Sequence, residues 1–197
     1  MPEILRFSTG FSMPRSANQT TRTPGKPAGS RRPMTRSMLL PLPAATTKKM
    51  SLQFHLALAA CRQQGNGNSY QFNELLRALY IAYHLQEMGF GALPLQVFAG
   101  AEFGMNASLS KRKEDQAWFV DARTASLLEQ ILALHDYQLS AIRLKDLTTA
   151  IERLEHFIRS QRASPLPNEL RVEARKLAAE LPSEAESPRP TKQDKHS

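Results

Sequence analysis

From Thr46 to Ala163 the apolar residues return every three or four positions, and no stretch longer than Ala117 to Asp121 alternates. A period near 3.6 puts those residues on one side of a helix, whereas a strand needs a period of two. The chain is therefore expected to be all-α, a single bundle of about five helices with disordered N- and C-terminal tails. The first helix is expected over about Ser51 to Gln63, with Leu52, Phe54, Leu56, Leu58 and Ala59, ending at the turn cluster Gly65-Asn66-Gly67-Asn68. Ser69 offers an N-cap to a strongly apolar second helix through Phe72, Leu76, Leu79, Tyr83 and Met88, closed by Gly89 at C′. Pro94 suits the first turn of a third, carrying Val97, Phe98, Ala101, Met105 and Leu109, although Gly100 and Gly104 weaken it.

Asp121 or Thr124 can cap a fourth helix, with Leu127, Leu128, Ile131, Leu132, His135 and Leu139 inward. The fifth has Leu144, Leu147, Ile151, Leu154 and Ile158, a straight 3-4-3-4 stripe too short for a coiled coil and suited to a bundle. The expected core includes Leu76, Leu79, Leu128, Ile131, Leu132, Leu147, Ile151 and Leu154. Three segments follow: a disordered basic arm over 1–45, the helical domain over 46–163, and a short helix with a polar tail over 164–197. Leu39-Leu40-Pro41-Leu42-Pro43, stiffened by proline, is expected to lie across the domain surface.

Charge divides the chain more sharply than hydropathy does. Met1 to Lys49 holds nine Lys/Arg against one acid, Met50 to Ala163 eleven of each sign, and Ser164 to Ser197 six of each. The whole net charge of +8 thus belongs to the N-terminal quarter. Met1 to Pro43 also carries seven of the thirteen prolines and few apolar residues. Such a segment buries too little surface to offset its ordering entropy. Its Arg- and Ser/Thr-rich composition has a transit-peptide flavour, but the apolar residues lack helical spacing and prolines interrupt them, so organelle targeting is not expected. Met34 and Met38 are alternative translation starts.

Several chemistries fail on residue pattern. The single cysteine, Cys61, excludes a disulfide framework and a thiolate zinc cluster, and no neighbouring cation lowers its pKa. A carboxylate-bridged dimetal bundle needs Glu-x-x-His on two helices. Here His84 precedes Glu87, and His156 follows Glu152 by four residues and Glu155 by one. His135, beside Asp136, is expected to be a buried histidine bonded to a backbone carbonyl or a neighbouring carboxylate, and His55 likewise. There is no G-x-S-x-G elbow, and Gly65-Asn66-Gly67-Asn68 lacks the strand, third glycine and lysine of a phosphate loop. Accordingly no enzyme activity, no cofactor and no metal site is expected. No run reaches the roughly 18 apolar residues of a membrane span, so no membrane partner is expected.

DNA readout requires a recognition helix. A helix-turn-helix alignment over Ile81 to Phe98, with Gly89 in the turn, puts Gly91, Ala92, Leu93, Pro94, Leu95 and Gln96 in the reading helix, which leaves almost nothing to bond a base edge. Lys111-Arg112-Lys113 is followed at once by Glu114 and Asp115 and reads as a solvated loop. The electrostatic footprint is the arm: Arg15, Arg22, Lys26, Arg31, Arg32, Arg36, Lys48 and Lys49 are the candidate nucleic-acid-binding residues. Cations on a flexible chain neutralise phosphates without reading sequence.

The segments Met38-Leu39-Leu40-Pro41-Leu42-Pro43-Ala44-Ala45-Thr46, Ser51-Leu52 with His55-Leu56-Ala57-Leu58, Leu76-Arg77-Ala78-Leu79-Tyr80, Leu132-Ala133-Leu134-His135-Asp136 with Gln138-Leu139, and Ser164-Pro165-Leu166-Pro167 resemble short bacterial proteins labelled Fis-family transcriptional regulators. The resemblance spans Met34 to Pro167. It implies a cytoplasmic, nucleoid-associated or regulatory DNA-binding protein. The usual Fis C-terminal helix-turn-helix is missing, because Asn168 to Leu181 is neutral and no Arg/Lys-rich helix follows it. No DNA-contacting residue is therefore carried over. The expectation is a DNA-binding regulator acting through non-specific electrostatic contact by the arm. The alternative is a helical adaptor or homo-oligomer that serves a protein partner through its apolar second helix and the Leu39 to Pro43 strip.

Overall fold

The computed structural model describes residues 35–63, 66–111 and 118–180. Of the arm expected to be disordered over 1–45, the part up to residue 34 lies outside the described residues, as do most of the charged loop before residue 118 and the polar tail after residue 180, whereas residues 35–45 are ordered, with a 3-10 turn, a bridge at Pro41 and the start of the first helix. Within them the fold is all-helical. A 3-10 turn, Arg36–Leu39, leads into six α-helices: α1 Ala44–Arg62, α2 Ser69–Glu87, α3 Leu95–Lys111, α4 Ala122–Ala141, α5 Leu144–Arg159 and α6 Asn168–Glu180. These are the five helices expected for the bundle and the short helix expected after Pro167.

Helix α2 is the centre, touching α1, α3, α4 and α5. Most of its circumference is apolar and enclosed by the other helices, so it cannot be the partner-facing surface expected of it in the adaptor alternative. From Phe72 to Leu85 only Asn73 and Arg77 escape burial. Phe72, Leu75, Leu79, Ile81 and Leu85 are at most 1% exposed, and each such side chain contributes roughly 1.5–3 kcal/mol of transfer free energy. Its N-cap is Asn68, one residue before the expected Ser69. The Asn68 side chain accepts from the Gln71 backbone N–H (2.9 Å), and Gln71 Oε1 accepts from the Asn68 N–H (3.1 Å). That reciprocal capping box is a stronger arrangement than a lone serine provides.

At the other end Gly89 takes φ +92°, the left-handed value that favours glycine. The Gly89 N–H bonds the Gln86 carbonyl and the Phe90 N–H the Leu85 carbonyl, which together form a Schellman closure. Gln86 then clasps the onward chain through both backbone groups of Leu93 (2.7 and 2.8 Å). Residues 91–94 form no helix, and α3 begins at Leu95. The Ile81 to Phe98 stretch is therefore a helix, a glycine and a helix, without a recognition helix in the expected reading register.

Glycines expected to weaken α3 instead bring it close to α4. Gly100 and Gly104 lie four apart and so share one face. A Cβ on Gly100 would sit 3.0 Å from Leu127 Cδ1, and one on Gly104 would collide with Thr124 Oγ1. Helix α4 opens at Asp121, whose carboxylate accepts from the Thr124 N–H (2.7 Å). It pairs antiparallel with α1 through Arg62–Glu129 and His55–Asp136, the latter at 2.8 Å.

The expected core residues are all buried except Ile151, which is half-buried. On α5 the enclosed row is Leu147, Ala150, Leu154 and Phe157. The stripe of Leu144, Ile151 and Ile158 therefore flanks the core, because the helix is turned one row from the expected register. Helix α1 starts at Ala44 and buries Phe54, Ala57, Leu58 and Cys61, leaving Leu52 and Leu56 outward. Two faces of α1 are apolar, and packing on α2 and α4 can enclose only one of them.

Leu39 to Pro43 does lie across the surface. Pro41 pairs with Arg143 as an isolated antiparallel bridge, and the Leu144 N–H donates to the Leu40 carbonyl (3.1 Å). Past Ala163, Leu166 is buried and α6 packs on α3. There Arg171 Nε lies 3.4 Å from Glu102, whose other oxygen accepts from the Tyr80 hydroxyl (2.7 Å). Burial pushes the Tyr80 hydroxyl pKa well up, reinforced by the Glu102 charge and hydrogen bond and opposed by Arg171.

Candidate functional site

Of the eight arm cations, Arg15, Arg22, Lys26, Arg31 and Arg32 lie outside the described residues. The other three are all exposed: Arg36 on the 3-10 turn, Lys48 and Lys49 on α1. The 3-10 turn packs against α5, and the bridge from Pro41 holds Arg143 beside the strip. Arg143 is exposed and Lys145 half-buried. Asp146 is the acid of this corner, and its carboxylate accepts from the Arg143 N–H (3.2 Å). Arg143 and Lys145 escaped sequence reasoning because the bridge that recruits them joins segments about a hundred residues apart, with no local signal.

The interior histidines divide between two environments. His135 is 0% exposed, packs on Phe54 with ring centroids 5.4 Å apart, and has Gln138 Oε1 at 3.3 Å from Nδ1. Burial lowers its pKa to about 4, against smaller raising effects of Gln138 and Asp136. It lacks the expected carboxylate partner, since Asp136 turns outward to His55. His55 is likewise not buried, its side chain being 44% exposed in that ion pair. Gln138 in turn donates to the carbonyls of Ala82 (3.0 Å) and Phe90 (2.9 Å), tying α4 to the end of α2.

His84 is the more suggestive group. Its Nδ1 lies 3.1 Å from Glu87 Oε2, while the Tyr83 hydroxyl donates to Oε1 (2.9 Å) and Arg153 stands 3.7 Å away. Burial lowers the His84 pKa despite the Glu87 hydrogen bond. Burial and the Glu87 bond together push the Tyr83 hydroxyl up to about 12. A neutral His84 donating from Nδ1 keeps a lone pair on Nε2, which is buried without a hydrogen-bond partner. A cleft of about 390 Å³ adjoins it, lined by Thr149, Glu152, Arg153, His156 and Phe157 among others. Its hydroxyls are committed elsewhere: Thr149 bonds the Lys145 carbonyl (2.9 Å) and Ser160 the Phe157 carbonyl (2.7 Å). Neither hydroxyl bonds a side-chain base.

Cys61 is fully buried, and desolvation raises its thiol pKa to about 11. Among the described residues no group of three His, Cys, Asp or Glu could hold a metal ion, and no helix is long and apolar enough to cross a membrane. No protein family, curated protein or solved structure matches the chain.

Proposed function

We propose that the protein is a non-enzymatic DNA-binding protein, regulatory in the sense the Fis-family resemblance implies, whose contact is chiefly electrostatic and non-specific. The observation that carries this reading is the separation of charge: nine cations against one acid up to Lys49, then balance throughout. The three arm cations within the described residues support it by standing in solvent instead of in ion pairs with the body. Phosphate neutralisation releases condensed counterions, so affinity falls with salt at a log-log slope of about 0.9 per phosphate contacted.

Gel shifts of the full chain on unrelated DNA at several salt concentrations test it. Neutralising Arg15, Arg22, Lys26, Arg31, Arg32 and Arg36 to Gln is expected to remove most of the affinity and to flatten the salt slope. Binding that ignores salt, or that survives neutralisation unchanged, refutes the reading. A helical adaptor or oligomer is the second reading, favoured by Leu52 and Leu56, which stand 59% and 58% exposed one turn apart on α1. It requires association with protein in place of DNA binding.

A further inference from the structure

Helix α1 has a second stripe that none of the described residues covers. Ala45, Lys49, Leu52, Leu56, Ala59 and Gln63 are all exposed and follow one another at steps of 4, 3, 4, 3 and 4. That spacing keeps them in one line along the helix, with the period of a seam between two packed helices. The stripe lies opposite the buried row of Phe54, Ala57, Leu58 and Cys61. Its centre is the pair Leu52 and Leu56, 59% and 58% exposed. Beside it runs α4, whose Glu129 meets Arg62. Glu129 shares its face of α4 with Ala122, Ser126 and Ala133, which are exposed and small. Leucine knobs next to a shallow strip of small residues have the relief that two helices of another molecule can fill.

Charge selects the occupant and its direction. A second copy of the chain brings an identical stripe, and a two-fold pairing makes each contact twice. In a parallel pair Lys48, Lys49 and Arg62 face their own copies, and like charges repel. In an antiparallel pair with its axis level with Phe54, Leu52 packs on Leu56 of the second copy. Lys49 then meets Ala59 there, and Lys48 comes level with Ala60, within one turn of Arg62. Lys48 and Arg62 are fourteen residues apart, two heptads, and so lie on the same side of α1, the side that borders α4. Lys48 is thereby brought alongside Glu129 of the second copy, whose side chain is 49% exposed and open to a second cation. A stable dimer buries about 1,200–2,000 Å² in total, more than one pair of helices supplies, and the small-residue strip of α4 extends the contact.

We propose that the outward face of α1, flanked by α4, is the interface of an antiparallel two-fold homodimer, with Leu52 on Leu56 of the second copy and Lys48 beside Glu129 there. The pairing goes beyond the DNA reading and, unlike the adaptor alternative, is compatible with it, since each dimer carries two arms. Sedimentation equilibrium of the full chain without nucleic acid, at low salt, tests it. The native chain is expected at twice the mass of one chain, and L52E/L56E at the mass of one. K48E and E129K each set like charges across the interface at two places, so each is expected to raise the dimer dissociation constant by about 2- to 30-fold, the usual strength of two exposed ion pairs. K48E/E129K restores opposite charges and is expected to return toward the native value. A monomeric native chain overturns the proposal, as does a dimer that L52E/L56E leaves intact or a double charge swap that recovers nothing. The gel shifts fail separately: a dimer without salt-sensitive DNA binding refutes the DNA reading alone, and a monomer that binds DNA refutes the dimer alone.

Discussion

Acidification should loosen this bundle through His135, and the size of the effect follows from where the ring sits. In the fold its pKa is about 4, below the ordinary histidine value of 6.5, because a fully buried imidazolium would have no water around it. The unfolded chain therefore takes up the proton first, and stability falls as pH drops. The loss begins near 6.5, grows toward 4 and levels off below it. One pKa unit corresponds to 1.36 kcal/mol, so a gap of roughly 2.5 units costs about 3 kcal/mol between pH 7 and pH 4. That is a large share of the roughly 5–15 kcal/mol that stabilises an ordinary domain. His84, lowered by burial, acts in the same direction, whereas Glu74, whose pKa burial raises, opposes it. The assay must therefore isolate His135 by difference. Urea unfolding of the native chain and of H135L, at pH 7, 5.5 and 4.5, does so. Leucine fills the site and removes the titration, at the cost of the 3.3 Å contact to Gln138 and the ring contact with Phe54, neither of which changes with pH in the variant. The stability gap between the two proteins should shift in favour of H135L as pH falls. Parallel pH dependences would show that His135 is hydrated or partnered in solution and that the burial argument is wrong.

Two further outcomes test the packing. G104A gains helix propensity, about 1 kcal/mol, but drives a methyl into Thr124 Oγ1; overpacking of about 1–3 kcal/mol should win, lowering the melting temperature, and G104A/T124A should recover most of the difference. Cys61, fully buried with a thiol pKa near 11, should alkylate far more slowly at pH 8 in the native chain than in urea, as followed by mass spectrometry; similar rates would place it at the surface.

Helices were legible because their spacing and caps are local. Asp121 and Gly89 announce helix ends through their own chemistry, and the structure uses both as expected. Errors arise where tertiary packing decides. Gly100 and Gly104 look like helix breakers until α4 is placed against them, since only the neighbour makes a missing Cβ useful. Leu52 and Leu56 look like core because α1 has more apolar residues than one buried face can hold. His55 and His135 depart from expectation for the same reason: Asp136 lies next to His135 in sequence, but its position on the helix turns it toward α1. The site was legible only as charge. Arm cations could be counted, whereas Arg143 and Lys145 join them through the Pro41 bridge.

This division also explains why body and arm should respond differently to solution conditions. The body holds itself together through apolar packing around α2 and through buried, specific hydrogen bonds such as those of Gln138. Salt screens neither strongly. The arm root has cations without matching acids, so its interactions are those that salt weakens most. Raising salt should therefore strip nucleic acid from the protein without melting it. A melting temperature that falls in step with affinity would mean that the cations serve the fold, with the strip the first segment to detach from α5. The two measurements together separate charges that serve a partner from charges that serve the chain's own stability.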